Sequence, residues 1–142
     1  MGAKLANDAW EGVLTAHAVL MRSFASTDIW GNTSMREYDV LYALAKCDEP
    51  QRLTDLREHV LLSQPALSRL VDRLVERGLV SRCEDSADAR AVRVALTDAG
   101  KDLQRTIGRA HAKDVTAAMA PLTDEELETL RLLTSKLIGR SS

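Results

Sequence analysis

The residues best equipped for chemistry in this chain suit recognition rather than catalysis. In the stretch DSADARAVRVALTDAG, residues 85–100, an acidic, small-residue loop ends at an arginine, Arg90, with Asp88 two residues before it. An arginine at the tip of a hairpin suits the narrow minor groove of duplex DNA, whose enhanced negative potential attracts it. A neighbouring carboxylate can fix the direction of the guanidinium. Upstream, Ser63, Gln64, Ala66, Leu67, Ser68, Arg69 and Arg73 gather at one end of a helical stretch. Glutamine pairs bidentately with adenine, arginine with guanine or phosphate, and serine with either.

Catalytic patterns are missing. There is no HExxH, no glycine-rich phosphate loop, no Gly-x-Ser-x-Gly and no triad at local spacing, so the chain is expected not to be an enzyme. His17, His59 and His111 fall on separate elements without ligand spacing, which predicts no metal and no cofactor. Cys47 and Cys83 have neither a disulfide framework nor a zinc spacing. Arg82 beside Cys83 favours a thiolate, and Glu84 and Asp85 oppose it.

Composition sets further bounds. The chain has 142 residues, 45% apolar and 28% charged, enough for one globular domain with a real core. No apolar run approaches the roughly 20 residues of a membrane span. The opening MGAKLANDAWEGV carries early acids and no signal-like apolar region, so a cytoplasmic chain without membrane contact is expected. A net charge of −2 gives no bulk attraction to nucleic acid. Locally, Arg69, Arg73, Arg77, Arg82, Arg90 and Arg93 are nearly balanced by Asp72, Glu76, Glu84, Asp85 and Asp88. Any DNA binding must therefore depend on which face these arginines occupy, and it should be salt-sensitive.

The periodicities say what positions these groups. Trp10, Val13, Leu14, His17, Leu20, Met21 and Phe24 recur at helical spacing and predict an amphipathic helix over 8–25. Ser34 with Glu37 reads as a capping box opening a helix that ends before Pro50. A short helix over 54–60 follows, then a helix capped by Ser63, with Pro65 in its first turn and Gly78 beyond its end. The short runs 79–84 and 91–96, enriched in β-branched residues, predict a hairpin. A long helix from Thr97 and a last helix behind a Thr123–Glu126 capping box complete the chain. The fold class is therefore mainly α with a small β-hairpin. Helices 54–60 and 64–77 form a helix-turn-helix, winged by the hairpin, whose second helix would enter the major groove by its N-terminal end. Leu67, Leu70, Val71, Leu74 and Val75 supply the apolar side of that helix, with Leu67 between the two faces.

The run LTDLREHVLLSQPALSRLVDRLVERGLVSRCEDSADARAVRVALTDAG resembles the MarR-type winged helix-turn-helix regulators of bacteria, and the flanking helices extend the likeness over nearly the whole chain. By this resemblance Asp88 and Arg90 match the wing's Asp-x-Arg element, and Ser63 to Arg73 match the recognition helix. The resemblance implies a homodimer bound to a pseudo-palindromic operator, with repression relieved by a small ligand or, in some members, by cysteine oxidation. The expected organisation is one domain over 1–142, a winged region over 34–96, and N- and C-terminal dimerisation helices over 8–25 and 97–139. A dimer also follows from the apolar stripes of those helices, which the winged region cannot all cover.

MarR-type proteins commonly bind their effector between the dimer helices and the winged unit. Trp10, His17, Met21, Trp30, Tyr38 and Asp39 are the candidates here, and their aromatic content points to a small aromatic or phenolic effector. Leu70 stands where a urate-sensing branch carries arginine, which argues against urate. No cysteine precedes Cys47, unlike the peroxide-sensing branch. The competing readings are a thiol-redox regulator of the same fold and a winged-helix interaction module without DNA binding.

Overall fold

The computed structural model describes residues 2–84, 87–88 and 91–139. In chain order the elements are α1 (Ala3–Ala25), α2 (Met35–Ala45), β1 (Gln51–Arg52), α3 (Leu53–Leu56), α4 (Gln64–Glu76), β2 (Val80–Glu84), β3 (Val92–Leu96), α5 (Asp98–Met119) and α6 (Asp124–Ile138). They divide into two compact units. One is Ala25–Ala110, hereafter the winged unit. The other, the terminal unit, joins the chain up to Phe24 with the chain from His111.

The winged unit is built around a single apolar cluster. Leu41, Leu56, Leu67, Leu74, Val40, Val71 and Val94 are its most deeply buried side chains. Burying a leucine or valine stabilises by about 1.5–3 kcal/mol. These residues come from α2, α3, α4 and β3, so the cluster fixes the helix-turn-helix and the sheet against each other. The sheet has three antiparallel strands in the order β1-β3-β2, with Val80 opposite Leu96 and Glu84 opposite Val92. The hairpin expected from sequence is thus joined by a third strand, with Gln51 opposite Val94 and Arg52 opposite Arg93. A two-residue strand shows no alternation of its own; it forms because β3 offers it a free edge, and Pro50, which cannot donate, lies just outside the pairing.

Local signals set the helix boundaries. Ser34 accepts from the Glu37 amide while Glu37 accepts from the Ser34 amide, a complete capping box, and Thr123 and Glu126 repeat it at α6. The segment after β1 departs from one continuous helix: α3 is a single turn, followed by a 3-10 turn over Arg57–His59. α1 starts at Ala3, earlier than its apolar stripe suggests, because Ala3, Lys4, Leu5 and Ala6 are good helix formers.

The base of the hairpin is locked by the start of α5. The Thr97 hydroxyl donates to the Gly78 carbonyl at 2.6 Å and accepts from the Gly100 amide at 3.0 Å. A Cβ on Gly100 would lie 2.0 Å from the Leu79 carbonyl oxygen, so only glycine permits this approach. Gly78, with φ of +74°, supplies the left-handed turn that leads from α4 into β2.

In the terminal unit Phe24 and His111 make an edge-on ring contact, centroids 4.9 Å apart. Phe24 is the only core side chain there among the described residues. Leu5, Trp10, Val13, Leu14 and Val19 of α1, and Leu130, Leu132, Leu133, Leu137 and Ile138 of α6, stay exposed.

Candidate nucleic-acid interface

α4 presents two faces. Leu67, Leu70, Val71 and Leu74 are buried, which anchors the helix by one side. Ser63, Gln64, Arg69, Asp72 and Arg73 are exposed on the other, with Ala66 and Ser68 half-buried at the margin. Leu67 therefore leaves the set of surface residues expected from the sequence. It is 0% exposed, and its contribution is to hold the helix rather than to touch a ligand. The i, i+3, i+4 spacing decides this: position 67 shares its side with 70, 71 and 74.

The N-terminus of α4 is open and capped. Ser63 is extended, and its hydroxyl accepts from the Ala66 amide at 3.3 Å. Pro65 lies in the first turn. The positive end of the helix dipole and the remaining free amides thus point to the same surface as Ser63 and Gln64.

Several arginines that sequence reasoning pooled have fixed internal partners. Arg77 Nη1 donates to Glu37 Oε2 at 3.1 Å and Arg77 Nη2 to the Thr33 hydroxyl at 3.2 Å, tying the end of α4 to the start of α2. Burial raises the Glu37 carboxyl, but hydrogen bonds from the Ser34 amide and hydroxyl, with the Arg77 guanidinium, outweigh it and hold the group below the usual carboxylate value. Arg82 of β2 pairs with Asp72 of α4. Arg93 donates to the Pro50 carbonyl at 3.1 Å. Arg69 and Arg73, one turn apart on the exposed face, make no ion pair among the described residues. The Arg77–Glu37 link joins residues far apart in the chain and gave no sequence signal beyond the capping role of Glu37.

Of the wing element, Asp88 is exposed and its carbonyl accepts from the Ala91 amide at 3.0 Å. Arg90 lies outside the described residues.

The expected effector residues fall in both units. Trp10 and His17 are exposed and Met21 half-buried on α1. In the winged unit, Trp30 and Tyr38 are buried and meet edge-on, centroids 5.5 Å apart. Tyr38 stacks on Tyr42 at 6.0 Å, and its hydroxyl accepts from Gln104 Nε2 at 3.5 Å. Burial raises the Tyr38 hydroxyl above its ordinary value, with Tyr42 and Asp39 adding to it against the Gln104 hydrogen bond. Asp39 is half-buried and lies 3.8 Å from Arg36. A separate cleft of about 350 Å³ is lined by Ala45, Cys47, Asp48, Lys101, Gln104 and Arg105, none of them singled out from sequence as effector contacts.

Both cysteines are free. Cys47 is half-buried and donates to the Ala43 carbonyl, and Cys83 is exposed on β2. Among the described residues, no group of three metal-capable side chains is found and no helix is long and apolar enough to cross a membrane.

Comparison with known proteins bears on this geometry. A family model described as MarR family matches residues 31–91. The HTH-type transcriptional regulator PecS of Dickeya dadantii is 26% identical over 106 residues, covering 73% of this chain and 64% of that protein, so the match spans less than two thirds of the relative's length. The PcaV transcriptional regulator of Streptomyces coelicolor, solved in complex with its natural ligand, is 25% identical, with a TM-score of 0.71 over 94% of this chain and 92% of that one. A mutant MarR from E. coli complexed with operator DNA is 23% identical, with a TM-score of 0.78 over 89% of this chain and 91% of that one, a likeness of fold.

Proposed function

We propose that this MarR-type chain is a transcriptional repressor that grips a pseudo-palindromic operator as a homodimer and releases it when a small aromatic or phenolic effector binds. The observation that carries the reading is the exposed face of α4. A capped, open N-terminus with Ser63 and Gln64 leads to Arg69 and Arg73, which stay out of ion pairs among the described residues while the opposite face is sunk in the core. In this reading Ser63, Gln64, Ala66, Ser68 and Arg69 meet base edges or sugar-phosphate, Arg73 meets phosphate, and Asp88 orients Arg90 into the flanking minor groove. The exposed apolar side chains of α1 and α6 support the homodimer, whose two recognition helices would lie ~34 Å apart on one duplex face.

The ligand-bound PcaV structure supports effector control, and the buried Trp30–Tyr38 pair with Asp39 offers rings and a carboxylate to a phenol. On α1, in the terminal unit, Trp10, His17 and Met21 are proposed separately as effector contacts. A thiol-responsive mode is the second reading, favoured by the exposure of Cys83 on the wing strand beside Arg82.

Fluorescence anisotropy with duplexes tiled across the DNA flanking the gene, at two salt concentrations, tests the first reading. Saturable, salt-sensitive binding to one pseudo-palindromic tile supports it, and absence of binding to every duplex at low salt favours a protein-interaction module. On a bound tile, Arg90→Ala should weaken the complex and leave the dimer intact. Peroxide treatment that weakens wild-type binding but spares Cys83→Ser would shift the account to thiol control.

A further inference from the structure

The hairpin β2–β3 is held to the winged unit from three sides. At its base, Thr97 bonds to the Gly78 carbonyl and its amide to the Leu79 carbonyl. On the β1 side, Arg93 reaches the Pro50 carbonyl. On the side of α4, Arg82 pairs with Asp72. The third tie acts where packing is absent: Val80 is buried, but Ser81, Arg82, Cys83 and Glu84 are all exposed, so no core side chain fastens the outer part of β2 to the helix.

Asp72 is conspicuous for another reason. It adjoins Arg73 and follows Arg69 by three positions on the exposed face of α4. A carboxylate on a face that meets phosphate works against binding, since it removes net positive charge from the contact. Its own local bond does not explain it either, because an exposed ion pair contributes little to global stability. What the pair does is connect the helix to the strand that runs into the wing loop.

We propose that Asp72 is a positioning residue for DNA binding: through Arg82 it braces β2 against α4, so that the helix and the strands of the β2–β3 hairpin reach the duplex in one fixed register. The proposal rests on the DNA-binding reading above. Binding then avoids the cost of ordering a loosely held wing on the duplex, and this gain outweighs the repulsion of one carboxylate.

The two effects have opposite signs, which makes the brace testable with Asp72→Asn, Arg82→Gln and the exchanged pair Asp72→Arg with Arg82→Asp. The probe is a fluorescein-labelled duplex selected for tight binding to the wild-type protein from a randomised pool. The brace predicts that each single variant binds about tenfold more weakly, that the exchanged pair returns to within about threefold of wild type, and that the melting temperature of all three stays unchanged. It also predicts faster amide exchange across β2 and β3 in both single variants without DNA. Asp72→Asn binding as tightly as wild type or more tightly, with unchanged exchange, is what loss of a negative charge alone produces and would overturn the brace. A wild-type protein that enriches no duplex would instead overturn the DNA-binding reading and the proposal with it.

Discussion

The winged unit and the terminal unit are made from similarly amphipathic helices and end in opposite conditions. In the winged unit, α2, α3, α4 and the sheet converge, and Val40, Leu41, Leu56, Leu67, Val71, Leu74 and Val94 lose essentially all contact with water. In the terminal unit, Phe24 is the one buried side chain among the described residues and keeps 8% of its surface exposed, while α1 and α6 each leave five large apolar residues exposed. The difference teaches that an amphipathic stripe specifies a helix but not its partner. One unit supplies its own partner surfaces; the other carries an apolar surplus of the kind that marks an interaction face. Under the proposed function, that partner is a second copy of the chain, which would match a symmetric, half-site DNA target.

The largest effect of a single substitution is expected inside the winged unit. Leu67→Ala should destabilise it by about 2–5 kcal/mol, because the site is enclosed on all sides and a cavity remains. Urea denaturation with a winged-unit probe such as Trp30 fluorescence reads the shift. A cost below about 0.5 kcal/mol would mean that Leu67 is not in the core and belongs with the exposed face after all.

An intermediate effect is expected at Arg77. Arg77→Gln leaves the buried Glu37 carboxylate without its guanidinium and should cost about 1–3 kcal/mol. The same pair gives a pH signature. The Glu37 carboxyl is lowered in the folded chain, so its contribution is fully present above the unfolded carboxylate value of 4.5 and is lost as pH falls through the folded value. Stability curves of wild type and Arg77→Gln should therefore converge in acid, and parallel curves down to the acid limit would contradict the link.

In the terminal unit the prediction runs the other way. Leu133→Glu should scarcely alter the fold of a single chain, since that side chain is half-exposed, yet it should weaken self-association by about a hundredfold by placing a charge in the apolar contact. Sedimentation equilibrium reads this directly. An unchanged association constant would remove α6 from the proposed dimer contact. The smallest effect belongs to the exposed face of α4. Arg69→Ala should leave stability untouched and reduce the slope of log affinity against log salt by about one. An unchanged slope would exclude Arg69 from phosphate contact.

Much of the fold was legible because its determinants are local. The capping boxes at Ser34 and Thr123, Ser63 with Pro65, and the glycine at position 78 each act within one helical turn. The surface of α4 was legible for the same reason, apart from Leu67, whose side is decided by how deeply the helix sinks into the core. What sequence left hidden depends on distant partners. β1 exists only because β3 is beside it. The Arg77–Glu37–Thr33 link and the Asp72–Arg82 pair bring together residues with no shared period. Gly100 is required by the backbone of Leu79, not by its own helix. Arginine counting was misleading in the same way, since Arg77, Arg82 and Arg93 are engaged within the unit and the helix offers Arg69 and Arg73.

The most direct test of the account is native mass spectrometry of the protein mixed with its tightest-binding duplex. The account predicts a dominant complex of two chains on one duplex, in equilibrium with a free dimer. A complex of one chain per duplex, or a free monomer that binds no DNA, would contradict it.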